Sequence, residues 1–143
     1  MGGKTCIKKG VFLYAIIDPE MKDFDRLVEV VATLRKKCPW DKKQTHKSLK
    51  PYMLEEVGEA IEAIDENDYD HLCEELGDQL LHIVMHAAIA QEKKRFSIED
   101  VINGICAKMI RRHPHVFTKN KKYKNISVKQ VLKLWGEIKK NEH

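Results

Sequence analysis

Two pairs of acidic residues stand at helical spacing in the middle of the chain. Glu56 and Glu59 are three residues apart, and so are Glu75 and Asp78. Residues three apart share one face of a helix, so each pair would present two carboxylates side by side. Four convergent carboxylates form an all-oxygen set that suits Mg²⁺ or Mn²⁺ and disfavours zinc and copper. Because Mg²⁺ often takes its remaining ligands from substrate phosphates, the pattern indicates phosphoanhydride chemistry.

The charges around these pairs are distributed unevenly. Between Pro51 and Glu92 the chain has twelve acidic residues and no Lys or Arg, whereas eleven of its 26 basic residues lie between Lys108 and Lys140. Exposed helices usually mix the two signs, because opposite charges four residues apart stabilise a helix. The acidic segment therefore needs cations from elsewhere, and bound divalent metal is the simplest source. The alternative interpretation is an acidic face that is merely solvated.

Length and composition predict one domain. The 143 residues can bury a core of their own, and we expect a tail over residues 1–20 and a domain over residues 21–143. The apolar run Val11–Ile17 is far shorter than the roughly 20 residues of a membrane-spanning helix, and no signal cleavage site follows it. Four widely spaced cysteines show no zinc pattern. We therefore expect reduced thiols, a cytoplasmic protein and no membrane partner.

Apolar periodicity predicts the helices that position the carboxylates. A first helix starts at Asp18-Pro19 and ends near Cys38, and a polar connection covers residues 40–50. The second predicted helix carries Glu56 and Glu59, and the third carries the other pair. Because only a short turn joins them, they should pack antiparallel and bring the four carboxylates together. The apolar side of the second helix is predicted to consist of Met53, Leu54, Val57, Ala60, Ile61 and Ile64.

The remaining segments also read as helices. A fourth helix is predicted after Ser97, and a last one begins at about Ser127. The fourth is predicted to turn Val101, Ile102, Ile105, Cys106 and Met109 inward. Gly77, inside the third helix, costs about 1 kcal/mol relative to Ala, so we expect a neighbour or ligand to approach it closely. No segment alternates like a strand, and the predicted fold is all-α.

Several stretches in this order resemble one known family. Glu55-Glu56-Val57-Gly58-Glu59, followed after fifteen residues by Glu75-Leu76-Gly77-Asp78, resembles the EExxE…ExxD signature of the MazG nucleotide pyrophosphohydrolases. Residues 38–41 (Cys-Pro-Trp-Asp), 44–46 (Gln-Thr-His) and 111–117 (Arg-Arg-His-Pro-His-Val-Phe) agree as well. The similarity extends from about Phe24 to Lys139.

The resemblance implies a fold, a reaction and a metal. The fold is a helical domain whose antiparallel helix pairs form a four-helix bundle across a homodimer. The reaction is hydrolysis of nucleoside triphosphates to the monophosphate and pyrophosphate, with removal of non-standard nucleotides as one role. Mg²⁺ would be the cofactor, with Mn²⁺ as a substitute. The implied metal ligands are Glu56, Glu59, Glu75 and Asp78, with Glu55 supporting the metal shell or orienting the water.

The implied contacts to the triphosphate lie later in the chain. They are Lys108, Arg112, Trp135 and Lys139, with Trp135 also available to stack on a base. Lys108, Arg112 and Lys139 would neutralise polyphosphate charge, and Arg can bond two oxygens at once. The family often has Trp-Glu where this chain has Trp135-Gly136, which puts in doubt how the last helix closes over substrate.

Other functions remain open at this point. One is a helical dimerisation or regulatory module that binds nucleotide without turnover, and another is a narrower pyrophosphohydrolase for one deoxynucleotide or a phosphoribosyl-nucleotide. Asp78, His82 and His86 share a face, but di-iron bundles use ExxH where this chain has ExxD, so we interpret the histidines as core-edge or interface residues. The basic run Lys119–Lys124 contains one aromatic residue, Tyr123, so no nucleic-acid partner is expected.

Overall fold

The structure is a computed structural model that describes residues 20–142. The residues Asp18-Pro19 and nearly all of the predicted tail lie outside these residues. Residues 20–22 are not helical and the first helix begins only at Asp23, so the predicted start at Asp18-Pro19 is wrong. Over the described range the chain contains helices and no strand, which confirms the all-α fold. The helices are α1 (Asp23–Lys37), α2 (Pro39–Lys43), α3 (His46–Asp65), α4 (Tyr69–Glu92), α5 (Ile98–Arg112), α6 (Pro114–Phe117) and α7 (Val128–Lys140), with a 3-10 turn at Lys121–Tyr123. None of these helices is both long and apolar enough to cross a membrane.

The chain divides into two compact units, with the boundary between Ser97 and Ile98. The first unit contains α1–α4, and the second contains α5–α7. The single domain expected over residues 21–143 stays a prediction.

The first unit is built around the pair α3 and α4, which a short turn connects. Asp68 caps α4 by accepting a hydrogen bond from the His71 N–H, and Asn67 in the turn adopts a positive φ of 56°. In the second half of α3 the buried side chains are small, namely Ala60 and Ala63, and they allow α4 to pack closely. Helix α1 packs against α4 as well. The resulting core consists of Val31, Leu49, Ala60, Ala63, Val84, Met85, Ala87, Ile89 and Ala90.

Helix α3 begins well before the position that its apolar pattern indicates. Thr45 accepts a hydrogen bond from the Ser48 N–H, and the Ser48 hydroxyl in turn bonds the Thr45 N–H, which makes a capping box. Pro51 therefore lies inside α3. The predicted polar connection over residues 40–50 is wrong, because α2 and the first turn of α3 occupy most of it.

Arg35 joins α1 to three other parts of the first unit. Its guanidinium donates to both carboxylate oxygens of Glu92, over 2.7 and 2.6 Å. It also donates to the backbone carbonyls of Asp41 and Gln44, the latter at 3.0 Å. The hydrogen bond from Arg35 lowers the pKa of the Glu92 carboxyl. The Arg35 side chain thereby links α1 to the end of α4 and to the segment that leads into α3.

The inward orientation predicted for residues of α5 is wrong in this chain, because all five of them are exposed. On α3 only Ala60 of the predicted apolar side is buried, whereas Ile61 and Ile64 are more than half exposed. Helix α4 therefore covers only part of the apolar side of α3.

In the second unit α7 packs on α5, and its start is the predicted one. Ser127 caps α7 in a capping box with Gln130. Among the cysteines that the structure describes, Cys38 and Cys106 are free thiols. The expectation of reduced thiols for the protein as a whole stays a prediction.

Candidate functional site

Three of the four predicted metal ligands come together between α3 and α4. Carboxylate oxygens of Glu56, Glu75 and Asp78 all lie within 4.8 Å of one another. Glu56 is on α3, and the other two are three residues apart on α4, so their convergence depends on the packing of the two helices. We call these three residues the carboxylate cluster.

Glu75 is the buried member of the cluster, with only 5% of its surface exposed. Its Oε1 lies 3.0 Å from Nε2 of His71, one helical turn earlier. Its Oε2 is buried and has no hydrogen-bond partner among the described residues. A buried carboxylate oxygen without a partner is costly, and a bound cation would satisfy it. The oxygen-only donors and this orphaned atom fit a hard divalent ion.

The remaining acids differ in how they relate to the cluster. Glu59 lies beside Glu75, whose negative charge is the main cause that raises the pKa of Glu59. It is not one of the three residues whose oxygens converge most closely. Glu55 is exposed on α3. The roles predicted for Glu59 and Glu55 stay predictions.

Electrostatic crowding is clearest at Glu56. Burial is the main cause that raises the pKa of its carboxyl, followed by the charge of Asp78 and the proximity of Glu75 and Glu59, and together they bring it from 4.5 to about 7. Near neutral pH, Glu56 therefore holds a proton for part of the time. A cation that binds here would displace this proton, because metal ligands must be deprotonated.

The bases nearest to the cluster are histidines, which the sequence reasoning did not assign to it. His71 contacts Glu75 at the i,i+4 spacing, a signal that was present in the sequence. His82 Nε2 lies 4.0 Å from Glu56 Oε1, and the His82 side chain is 12% exposed. Burial lowers the pKa of His82, which favours its neutral form. A neutral His82 leaves the negative charge of Glu56 uncompensated.

A second histidine pair ties the start of α3 to α4. His46 Nδ1 and His86 Nδ1 lie 2.7 Å apart, so one ring donates a hydrogen bond and the other accepts it. The ring centroids are 5.0 Å apart and the planes nearly parallel. With a 2.7 Å Nδ1–Nδ1 separation, this centroid distance describes rings that meet edge to edge. The pair is a structural contact, in keeping with the predicted core-edge role of His86.

Gly77, in the turn of α4 between Glu75 and Asp78, does not behave as expected. A Cβ added at Gly77 would meet no atom within 4 Å. No described residue of this chain approaches Gly77 closely, and the approach of a ligand stays a prediction.

The predicted triphosphate contacts all lie in the second unit. Lys108 on α5 and Lys139 on α7 are exposed, and neither makes an ion pair within residues 20–142. Arg112, the last residue of α5, forms an ion pair of 2.8 Å with Glu142. That partner is thirty residues away, and sequence reasoning missed it.

Trp135 packs within the second unit. Its ring meets that of His113 edge to face, with centroids 5.0 Å apart. The His113 ring in turn bonds the Met109 carbonyl through Nδ1, at 2.6 Å. The Trp135 Nε1–H is buried and has no acceptor among the described residues. Its stacking on a nucleobase stays a prediction.

Comparison with known proteins identifies the family. The model of the MazG nucleotide pyrophosphohydrolase domain matches residues 44–117, which include the entire carboxylate cluster. The chain belongs to the MazG family. The matched residues include all of α3 and α4, the two helices that carry the cluster.

Individual relatives agree with this MazG assignment. The chain is 57% identical over 105 residues to the uncharacterised protein YabN of Bacillus subtilis, covering 73% of this chain and 21% of that protein. It is 52% identical over 121 residues to the nucleoside triphosphate pyrophosphohydrolase/pyrophosphatase MazG of Thermotoga maritima, covering 83% and 45%. The chain thus spans less than half the length of these curated relatives.

A solved MazG-related structure has the same fold. The crystal structure of a mazG-related protein from Thermotoga maritima superposes with a TM-score of 0.69 at 34% sequence identity. The match covers 81% of this chain and 98% of that one. The helical architecture is therefore that of a MazG domain.

Proposed function

We propose that this chain hydrolyses ribo- or deoxynucleoside triphosphates to the monophosphate and pyrophosphate in a Mg²⁺-dependent reaction. The observation that carries the proposal is the carboxylate cluster with its unpartnered, buried Glu75 Oε2, in a chain of the MazG family. The names of its relatives, which include nucleoside triphosphate pyrophosphohydrolases, support the same reaction class.

The metal would be held by Glu56, Glu75 and Asp78, with Glu59 as a fourth ligand. When bound, a divalent ion polarises phosphate oxygens and lowers the pKa of a coordinated water. Glu56 would release its proton as the site fills, and Glu55 would help to orient water from the exposed side of α3. Lys108, Arg112 and Lys139 would neutralise the phosphate chain, and Trp135 would contact the nucleoside. No Ser, Cys or His nucleophile is required.

The exposed apolar face of α3 and α4 supports a homodimer. Val57, Ile61 and Ile64 on α3 and Leu76, Leu80 and Ile83 on α4 each follow a four-then-three spacing, so each set lies on one side of its helix. Six exposed apolar side chains on one helix pair are costly in water. A second copy that covers them would complete the four-helix bundle. We expect Ile61→Glu to convert the dimer to a monomer in sedimentation velocity.

The reaction is tested by pyrophosphate release from a panel of ribo- and deoxynucleoside triphosphates, with and without Mg²⁺. We expect release that requires Mg²⁺ and falls at least roughly 100-fold in Glu59→Gln, because one missing ligand weakens both metal binding and charge stabilisation. Glu62→Gln is the matched control, since Glu62 is exposed on the same helix outside the cluster.

The panel also separates the alternatives. Release from a single deoxynucleotide or from a phosphoribosyl-nucleotide alone would narrow the substrate. Nucleotide binding measured by calorimetry without product from any substrate would replace the enzyme with a nucleotide-binding regulatory module.

A further inference from the structure

Two arginines of the second unit converge on one carboxylate. Arg111 Nε donates to Glu142 Oε1 at 2.7 Å. Arg112 donates to Glu142 Oε2 through Nη2 at 2.8 Å and through Nε at 3.2 Å, with a longer contact to Oε1 at 3.4 Å. Both carboxylate oxygens are therefore occupied by guanidinium donors. We call these three residues the arginine–glutamate cluster.

The carboxylate in this cluster is well shielded and ionised. The Glu142 side chain is 15% exposed, against 23% for Arg112 and 52% for Arg111. The hydrogen bonds from Arg112 and then Arg111 lower the pKa of Glu142 to about 2. Glu142 thus carries a full negative charge at neutral pH, while the cluster as a whole keeps one net positive charge.

The position of Glu142 makes it an exchangeable partner. It lies beyond the C-cap of α7, Asn141, and its backbone N–H reaches the Lys139 carbonyl only at 3.4 Å. Its side chain can therefore leave the arginines without disturbing the hydrogen bonds of a helix interior. The arginines, by contrast, lie in the last turn of α5.

Two guanidinium groups that face one oxyanion are typical of phosphate recognition, because each fork can donate two parallel hydrogen bonds. Lys108 lies four residues before Arg112 on α5 and so on the same helical face. Lys139 lies three residues before Glu142. Both are exposed and make no ion pair within residues 20–142, so they leave positive charge available near the cluster.

We propose that Arg111 and Arg112 together form a site for the phosphate chain of the nucleotide, and that Glu142 occupies this site as an internal competitor until phosphate displaces it. The proposal rests on the proposed function and adds two residues to it. Arg111 becomes a second phosphate-binding arginine, and Glu142 becomes the residue that sets how tightly phosphate binds. The opposite role for Glu142, holding Arg112 in a productive orientation, predicts the opposite effect of its removal.

The test is phosphate binding, which needs no turnover. Calorimetry in Mg²⁺ would compare wild type with Glu142→Gln, using an α,β-imido nucleoside triphosphate in one arm and inorganic tripolyphosphate in the other. We expect Glu142→Gln to bind the analogue roughly 5- to 30-fold more tightly, which corresponds to the loss of one or two kcal/mol of internal competition. Glu142→Asp should shift affinity the same way, because the shorter side chain cannot reach both arginines.

Two variants keep this result specific. Glu137→Gln removes an exposed carboxylate of α7 that pairs only loosely with Lys133, at 4.0 Å, and should leave affinity unchanged. Arg111→Gln in the Glu142→Gln background should reverse most of the gain. Equal or weaker binding by Glu142→Gln, with an unchanged thermal unfolding curve, would overturn the competitor role.

The two arms also separate this inference from the proposed function. Tighter binding of both ligands supports a phosphate site that serves the nucleotide. Tighter binding of tripolyphosphate alone would retain the competitor but contradict the nucleotide as its ligand. Binding of neither ligand by any variant would overturn the phosphate site, whereas absence of pyrophosphate release with intact, Glu142-sensitive binding would contradict only the hydrolytic reaction.

Discussion

The two charged clusters of this chain differ in where their counter-charge comes from. In the carboxylate cluster, Glu75 keeps an oxygen without a partner, and the nearest bases are histidines. In the arginine–glutamate cluster, the chain supplies the opposite charge itself, through Glu142. The first cluster can therefore take up an external cation directly, whereas the second can take up an anion only if the Glu142 carboxylate leaves the arginines.

The largest effect on activity is expected from a substitution in the carboxylate cluster. Glu75→Gln should lower pyrophosphate release by roughly 10²–10³-fold, because it removes a proposed metal ligand. The same change should raise the melting temperature in EDTA, since it relieves repulsion with Glu56 and Glu59. Activity and thermal unfolding, measured on the same preparation, check both parts. A variant that is less stable in EDTA and still active would show that Glu75 is only a structural residue.

The Arg35–Glu92 pair provides a comparison in which both charges are supplied internally and support the fold. Arg35→Ala should destabilise the protein by about 3 kcal/mol, because its shielded guanidinium satisfies one carboxylate and two backbone carbonyls. Urea unfolding followed by circular dichroism measures the change. The exposed Lys133–Glu137 pair is the control, and Lys133→Ala should stay within about 0.5 kcal/mol of wild type. Equal effects of the two substitutions would contradict a structural role for Arg35.

The stability of the metal-free protein should depend on pH through Glu56. Its pKa is raised in the folded state to about 7 from 4.5, so the folded protein binds the extra proton. Metal-free stability should therefore fall as pH rises from 4.5 through 7, by on the order of 1 kcal/mol after solvent screening. Added Mg²⁺ should stabilise the protein more at pH 8 than at pH 5.5.

Thermal unfolding in EDTA and in Mg²⁺ across this pH range measures both effects. Melting temperatures that respond to neither chelation nor Mg²⁺ would contradict a metal at the carboxylate cluster. Glu59→Gln checks that the raised pKa of Glu56 causes the pH dependence. Removal of the nearby Glu59 charge should weaken that dependence.

The smallest effects come from one glycine in each unit. A Cβ at Gly77 in α4 or at Gly136 in α7 would meet no atom within 4 Å. Replacement of either by Ala should stabilise its helix by up to about 1 kcal/mol, because Gly has the greater backbone entropy to lose. Denaturant unfolding compares the two variants. A gain at Gly136 with a loss at Gly77 would indicate that a ligand or second copy approaches α4 there.

Much of the helical layout follows from local sequence. The apolar spacing located α1, α3, α4, α5 and α7, and Ser127 marked the start of α7 correctly. The start of α3 was missed because residues 40–50 are mostly polar and were predicted to form a connection. The capping box of Thr45 and Ser48 marks the actual start.

Burial could not be read in the same way. Ile61 and Ile64 continue the apolar spacing of α3, yet they are exposed in this chain. Periodicity shows which side of a helix is apolar. How much of that side is buried depends on where the neighbouring helix packs against it. Ala60 and Ala63 show where that neighbour actually lies.

The sequence by itself determined which acids could form a cluster, because helical spacing puts Glu56 and Glu59, or Glu75 and Asp78, on one face. Only the tertiary structure decided that Glu75 is buried with an orphaned oxygen and that Glu56 has a pKa of about 7. It alone also paired Arg112 with Glu142. The physical reason is that spacing acts along one helix, whereas burial and long-range ion pairs depend on distances between elements that no local pattern specifies.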